Sequence, residues 1–323
     1  MSIQILDCTL RDGGYVNNWN FNYLHIKKII SNLEASNVDF IECGFLKKNK
    51  YCKDKSIFNS FSRLNDFITK SNSKYSLMLN FGDFELDEIL KLKPYNYFLR
   101  LAFKKNDVEN ALNFAEKLSI AGFNLFLNPM NTISYSTVEL LSLIEKVNKI
   151  SPFAFAIVDT IGQMRRSDTL SLFYLVDKNL SSDISICFHS HNSLSLSFSN
   201  VQALLEERIN RNLIIDSTLF GMGRGAGNLQ TELITQYLND NFNKNYDTIP
   251  LLRAIQEQIN PIFATTPWGY SVPYRLAALN FCHPNYAKYL IDKKIPVDKI
   301  NLILKNIPNE YRSNFSLDVI KNC

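Results

Sequence analysis

The sequence lacks the features that mark several large classes of protein. None of its apolar runs approaches the roughly 20 residues that a membrane-spanning helix requires. Its opening has neither a basic start nor a long apolar stretch, so we expect no secretory signal. Its 35 Lys and Arg only slightly exceed its 31 Asp and Glu and form no basic run, which argues against nucleic-acid binding.

The six cysteines include no CxxC pair and no closely spaced framework. Such a pattern is typical of reduced thiols, and we therefore expect a cytoplasmic protein. With 46% hydrophobic and 20% charged residues, the 323-residue chain has the composition of a globular protein of one or two domains.

Short apolar segments alternate with segments of helical spacing over residues 1–238. Eight of the apolar segments are candidate strands: Ile3–Cys8, Val38–Gly44, Ser76–Phe81, Tyr97–Phe103, Phe123–Asn128, Phe153–Asp159, Ile184–His189 and Leu213–Thr218. Their starts lie about 20 to 38 residues apart, which leaves room for a crossover helix each time. Eight such units predict an α/β fold, a closed (β/α)8 TIM barrel, and an open doubly wound sheet is the alternative.

The pattern changes after residue 238. A polar stretch at residues 239–245 predicts a linker. Beyond it, three segments have helical spacing with no strand signal between them: Leu251–Ile259, Val272–Phe281 and Val297–Ile307. We therefore predict a catalytic barrel domain over residues 1–238 and a small helical C-terminal domain over residues 239–323.

Polar residues gather where the first and seventh predicted strands end. Arg11 and Asp12 precede two glycines, and alone they would favour a salt-bridged turn. His189 and His191 lie two apart, so their side chains point to the same face of a strand. With a carboxylate from another strand end, this donor set suits Mn²⁺ or Mg²⁺, and Zn²⁺ or Fe²⁺ also fit. The alternative is a polar strand end with two solvated imidazoles.

A glycine-rich loop follows the eighth predicted strand. Residues 221–226 formally match a G-x-G-x-x-A dinucleotide fingerprint, but no further strand supplies the acidic residue that the fingerprint requires. A loop that brings backbone and Asn228 close to a ligand or metal fits better. A flexible turn is the alternative.

Three motifs in this order, LDCTLRDGG, FHSHN and GMGRGAGN, resemble those of the DRE-TIM metallolyase superfamily. Its 4-hydroxy-2-oxovalerate aldolase-like branch is the most similar, and the WGYSVPY stretch at residues 268–274 also resembles that branch. The resemblance implies a metal-dependent TIM-barrel enzyme. In such an enzyme Asp12, His189 and His191 would bind a divalent cation, with Mn²⁺ the first candidate, and Asn228 would be a further ligand.

The same resemblance implies roles in substrate binding. Arg11 would contact the substrate oxygen that becomes negative, and Thr160 would hold the keto-acid carboxylate. Glu42 matches an acidic residue that lines the site, and the alternative is an ion pair between Glu42 and Arg100 at the barrel mouth. Arg100 and Tyr274 complete the substrate-binding candidates.

Tyr15 departs from the pattern of the aldolases, which carry a histidine for proton transfer at this position. Tyrosine has a reference pKa of about 10, so it is a poor base at neutral pH, although it can donate a proton to an alkoxide. Either Tyr15 works with metal-bound water, or Tyr270, Tyr274 or His283 from the C-terminal segment takes over.

We therefore predict a metal-dependent aldolase or lyase that acts on a 2-oxo acid such as pyruvate together with an aldehyde. One alternative is a Claisen-type synthase that uses acetyl-CoA, although those synthases carry a glutamate soon after RDG, where this chain has Gly14 and Tyr15. Another is a catalytically silent barrel that serves as a partner protein. A homo-oligomer is expected from base rates, and a dehydrogenase partner from family analogy alone.

Overall fold

The computed structural model describes residues 2–69, 71–93, 96–207 and 210–323. Eight parallel strands form its centre: β1 (Ile3–Asp7), β2 (Phe40–Leu46), β3 (Lys74–Asn80), β4 (Phe98–Phe103), β5 (Asn124–Pro129), β6 (Ala154–Asp159), β7 (Ser185–Ser190) and β8 (Leu213–Ser217). Each strand pairs with its neighbours in chain order, and β1 pairs with both β2 and β8. The sheet is therefore closed, and the predicted (β/α)8 barrel is confirmed.

Fifteen α-helices lie within the described residues: α1 (Gly14–Asn17), α2 (Tyr23–Ala35), α3 (Leu86–Ile89), α4 (Val108–Ile120), α5 (Thr137–Ile150), α6 (Arg166–Asn179), α7 (Ser197–Leu205), α8 (Thr231–Phe242), α9 (Thr248–Ala254), α10 (Asn260–Thr265), α11 (Val272–Leu279), α12 (Pro284–Asp292), α13 (Val297–Asn306), α14 (Asn309–Arg312) and α15 (Leu317–Lys321). The described residues of the crossover from β2 to β3 form no α-helix. The crossover contains a two-residue strand, Ile57–Phe58, paired with β2, and a 3-10 helix, Phe61–Asp66. Within the described residues, no helix combines the length and apolar character that crossing a bilayer requires.

Side chains alternate between the outer and inner faces of the barrel, so the strands contribute to two separate apolar layers. One large cluster packs the strands against the helices. A smaller cluster fills the barrel interior, and Phe40, Phe98, Cys187 and Ile214 belong to it. Because side chains two residues apart share a face of a strand, the next inward positions toward the carboxyl ends of these strands fall on four polar residues: Glu42, Arg100, His189 and Asp216. The barrel interior therefore ends in a charged layer at the mouth.

The C-terminal segment contributes to two different cores. Residues of α9 and the π-helix Ile255–Ile259 pack in the large barrel cluster, which Ile262 and Trp268 also join. A separate cluster gathers residues of α11, α12, α13 and α15 around Tyr286. The helical C-terminal part is confirmed. The predicted domain boundary at residues 238 and 239 stays a prediction, and the change from one core to the other lies later in the chain, after Trp268.

Candidate metal centre at the barrel mouth

A wide turn at the end of β1 positions the first two site residues. It is a single π-helix, Thr9–Gly13, and turns of this kind occur often at functional sites. The indole of Trp19 donates to the carbonyl of Arg11 at 2.8 Å and so anchors the turn. A Cβ on Gly14 would lie 2.0 Å from the Trp19 ring, which explains the glycine at that position.

Three predicted ligands converge at this turn. Asp12 Oδ2 lies 3.2 Å from His189 Nε2 and 3.7 Å from His191 Nε2. All three residues are buried. The structure therefore brings one carboxylate and two imidazoles together as the sequence analysis expected, while their role as ligands stays a prediction.

Unpaired buried oxygens show that this donor set fits a cation. Asp12 Oδ1 and Asn228 Oδ1 have no hydrogen-bond partner among the described residues, although both are buried. Asn228 Nδ2 donates to the Met222 carbonyl at 3.2 Å, which fixes the amide. A buried carboxylate oxygen without a partner is costly, and a divalent cation would satisfy it.

Asp216, at the end of β8, was missed by the sequence analysis. His189 Nδ1 lies 2.9 Å from Asp216 Oδ2, so the imidazole donates there and presents Nε2 toward Asp12. This carboxylate–histidine arrangement is the usual support of a metal-bound histidine. Its only sequence signal is an acidic residue at an inward position of an otherwise apolar strand.

The protonation states of Asp12 and His191 suit metal binding, whereas burial of His189 is outweighed by its hydrogen bonds to Asp12 and Asp216, which raise the pKa of His189, so a cation there would displace a proton. Burial opposes ionisation of Asp12, but Arg11 and the two histidines outweigh it and hold the pKa of Asp12 well below its usual range. Burial lowers the pKa of His191 to about 3, so this ring is neutral at physiological pH. A charged carboxylate and a neutral imidazole are the ligand forms that metals require.

Buried ion pairs hold the Arg11 side chain in place. Arg11 Nε donates to Glu42 Oε2 at 2.7 Å, and Arg11 Nη1 donates to Asp12 Oδ2 at 2.9 Å. Arg100 lies 3.3 Å from Glu42 and 2.5 Å from Asp216. Glu42 and Arg100 are therefore ion-paired, the alternative that the sequence left open. Neither is among the described residues that line the cavity, and their direct contact with substrate stays a prediction.

A cavity of about 620 Å³ opens above the cluster. Thr160 and Tyr15 line it, and the Thr160 hydroxyl accepts a hydrogen bond from the Asn131 N–H at 2.8 Å. Tyr270 is 56% exposed and Tyr274 is half-buried, and neither belongs to the described lining. His283 does line the cavity, and it is one of several residues of the C-terminal part that lie at the mouth.

Cys8 is a competing ligand that the sequence analysis did not consider. Its sulfur, Asp12 and His189 offer donor atoms that all lie within 4.8 Å of one another. Burial raises the pKa of the Cys8 thiol well above its usual value, and the thiol contacts the Ser217 carbonyl at 3.3 Å. Because metals bind the thiolate, His191 is the better third ligand.

Comparison with known proteins points to one superfamily. Residues 100–257 match the HMGL-like family. The chain is 23% identical to an oxaloacetate decarboxylase of Mycobacterium tuberculosis over 249 residues, which span 72% of this chain and 69% of that protein. It is 24% identical to a 4-hydroxy-2-oxovalerate aldolase of Chloroflexus aggregans over 277 residues, or 82% of this chain and 78% of the relative.

A solved structure agrees over nearly the whole chain. It is the N-terminal domain of a proposed aldolase from Bacteroides vulgatus, with a TM-score of 0.79 and 28% identity. The match covers 92% of this chain and 98% of that domain. Together with the three motifs and the site at the barrel mouth, these similarities relate the chain to the DRE-TIM metallolyase superfamily.

Proposed function

We propose that the protein is a divalent-metal-dependent lyase that makes or breaks a carbon–carbon bond next to the ketone of a 2-oxo acid. In the synthetic direction, pyruvate and an aldehyde give a 4-hydroxy-2-oxo acid. One observation carries the proposal: Asp12, His189 and His191 meet beside Arg11, with Asp12 Oδ1 buried and unpaired among the described residues.

Asp12, His189 and His191 would hold the cation, with Asn228 Oδ1 available to it. When bound, such a cation supplies Lewis-acid stabilisation of the charge that develops on the ketone oxygen. Among the candidates Mn²⁺ is our first choice, because a mixed set of nitrogen and oxygen donors suits it.

Arg11 and Thr160 bind the 2-oxo acid in this proposal. A guanidinium has five N–H donors, and Arg11 directs two of them to Glu42 and Asp12. The remaining donors stabilise the developing oxyanion, and removing one such donor typically costs about a hundredfold in rate. Because Thr160 accepts from Asn131, its hydroxyl proton is available to the substrate carboxylate.

Tyr15 lines the cavity and donates a proton to the new alkoxide in the synthetic direction. Its ring is held between the Trp19 ring, with centroids 4.8 Å apart, and the Arg224 guanidinium, 3.9 Å above it. These contacts fix the ring without occupying its hydroxyl.

Decarboxylation of a 3-carboxy-2-oxo acid is a second candidate. No described carboxylate or imidazole hydrogen bonds to the Tyr15 hydroxyl, so cleavage of an aldol has no evident base there. Loss of CO₂ leaves the same enolate and needs no base at a hydroxyl. The similarity to an oxaloacetate decarboxylase also favours this reaction. Release of CO₂ from oxaloacetate by the Mn²⁺-supplemented protein, without aldol turnover, would support it.

Exchange of the pyruvate methyl protons with deuterated water tests the shared step. We expect the natural protein to catalyse Mn²⁺-dependent exchange, measured by ¹H NMR. The control variant His25→Ala, whose helix lies outside the cavity, should do the same. His191→Ala should abolish the exchange. Exchange without Mn²⁺, or full exchange in His191→Ala, would contradict the proposal. Release of free thiol from acetyl-CoA would instead favour a Claisen-type synthase.

Two finer expectations remain part of the proposal. A cytoplasmic location is consistent with six cysteines that form no disulfide. A homo-oligomer follows from base rates for enzymes, and sedimentation velocity would measure it.

A further inference from the structure

Arg224 is a charged cavity residue to which the proposed reaction assigns no contact with substrate. It lies in the glycine-rich loop after β8 and lines the cavity together with Arg11, Lys104 and His283. Among the described residues, no carboxylate lies within 4.0 Å of Arg224 or of Lys104. Arg11 differs, because Glu42 and Asp12 already neutralise it.

Within the described residues, Arg224 makes one side-chain hydrogen bond, to His283, and a second donor competes for the same ring. Arg224 Nη1 lies 2.8 Å from His283 Nε2, and the Asn285 N–H lies 3.1 Å from His283 Nδ1. Burial and the nearby charges of Arg224 and Lys104 lower the pKa of His283 to about 3, so the ring is neutral. A neutral imidazole has one acceptor nitrogen, so it cannot accept from both donors.

The guanidinium is nevertheless held in place. It stacks 3.9 Å above the Tyr15 ring, which is an attractive cation–π geometry. A positive group that is fixed, lines a cavity and lacks a carboxylate partner is prepared for an anionic ligand. The 2-oxo acid carboxylate is already assigned to Thr160, so this anion belongs to the other part of the substrate.

We propose that the aldehyde partner of the reaction carries a carboxylate, and that Arg224 binds this carboxylate, with Lys104 a second positive group in the same cavity. The inference rests on the proposed function and narrows it to one class of acceptor. The balanced step joins the methyl carbon of pyruvate, after loss of a proton, to the aldehyde carbon, whose oxygen takes up a proton. No oxidant or reductant is needed.

Matched aldehydes of equal size test the inference. The pairs are glyoxylate with 2-methylpropanal, and 4-oxobutanoate with 4-methylpentanal, each added to pyruvate and Mn²⁺. We expect a carboxylated member to give the higher kcat/KM. Arg224→Gln should lower the ratio of the two kcat/KM values about ten- to a hundredfold, because loss of a charge-assisted hydrogen bond weakens binding by about that factor. Arg224→Lys should restore part of the ratio, and Arg166→Gln, on the exposed surface, should leave it unchanged.

Binding of the same carboxylated aldehydes to metal-free protein gives a readout apart from turnover. We expect Arg224→Gln to raise the dissociation constant about tenfold, measured by ligand-observed NMR, with its thermal melting compared to the natural protein. Pyruvate deuterium exchange distinguishes a failure of this inference from a failure of the proposed function. Exchange with no preference for the carboxylated aldehydes, or a preference that survives in Arg224→Gln, overturns the inference alone. Absence of exchange overturns the proposed function and the inference with it.

Discussion

At the scale of single residues, the arrangement of donors is what the sequence revealed best. His189 and His191 were expected on one face because they lie two apart in a strand, and Asp12 was expected beside them because of the resemblance to the metallolyases. The structure brings these side chains together. Asp216 was not predicted, because a lone acidic residue in an apolar strand does not reveal which imidazole it will meet.

Asp216→Asn should weaken Mn²⁺ binding about ten- to a hundredfold, because His189 then loses the carboxylate that fixes its tautomer. Electron paramagnetic resonance of free Mn²⁺ measures the change. Asp292→Asn, on the exposed α12 surface, is the matched control and should bind Mn²⁺ normally. The substitution also leaves Arg100 without one partner, so thermal melting must show that the variant is folded. Unchanged affinity in folded Asp216→Asn would contradict this support role.

Glu232 gives a pH-dependent prediction. Burial raises the pKa of its carboxyl to about 7 in the folded protein, above the usual 4.5. Folding therefore favours the protonated form, so the contribution of Glu232 to stability is greatest at low pH and declines as the pH rises toward 7. The glutamine in Glu232→Gln cannot become charged. The free energy of unfolding of this variant, relative to that of the natural protein, should therefore rise by about 1–3 kcal/mol from pH 5 to pH 8.

Urea unfolding at both pH values measures this difference. Glu145→Gln, with an exposed side chain, should show no such pH trend. A difference between Glu232→Gln and the natural protein that does not change with pH would show that the folded protein does not favour the protonated carboxyl.

At the scale of elements, all eight strands lie within two residues of their predicted bounds, because each is a short and almost fully buried run that is largely apolar. The crossover after β2 departs from the βα alternation, since it contains a short strand and a 3-10 helix in place of an α-helix. In the C-terminal part, α12 was missed. The predicted helix Leu251–Ile259 is divided, since a π-helix, Ile255–Ile259, follows α9. Local spacing does not distinguish these variants from ordinary helical turns.

The loops after β6 and β7 touch through Gly162. Its φ is +71°, and a Cβ there would lie 2.7 Å from Ser193 N and 2.9 Å from His191 O. Gly162→Ala should therefore displace the His191 backbone and reduce Mn²⁺ affinity about tenfold or more. Gly122→Ala is the matched control, because its φ is +84° but no atom would lie within 4 Å of the new Cβ.

Both glycine variants should lose about 1–2 kcal/mol of stability from backbone strain, measured by urea unfolding. Only Gly162→Ala should change the Mn²⁺ titration. Equal Mn²⁺ affinity in the two variants would show that contact between these loops does not position His191.

At the scale of the whole molecule, the C-terminal helices complete one wall of the cavity. Ser313, Asn314 and Phe315 line it, and the buried Tyr286 hydroxyl holds this segment through the carbonyls of Tyr311 and Asn314 and the N–H of Ser316. The sequence predicted the helical character of this part. It could not predict which residues reach the barrel mouth, because that depends on packing between distant segments.

Tyr286→Phe should therefore destabilise the protein by about 1–3 kcal/mol, since the Ser316 N–H loses its acceptor and the carbonyls of Tyr311 and Asn314 lose the one O–H donor that they share. It should also raise the KM for the substrate more than it lowers kcat, because the wall moves while the donors remain. Urea unfolding and steady-state kinetics measure the two effects. Tyr289→Phe removes a hydroxyl without such contacts and should change neither quantity. A fall in kcat with no change in KM would contradict the role of this segment as a wall of the substrate cavity.

The proposed chemistry depends on one cation held between the ends of β1 and β7. Anomalous scattering from a crystal grown with Mn²⁺ is the measurement that locates such a cation. We expect one strong peak within about 2.0–2.4 Å of a carboxylate oxygen of Asp12 and of Nε2 of both His189 and His191. No peak at the barrel mouth, or a peak bound by Cys8 in place of His191, would contradict it.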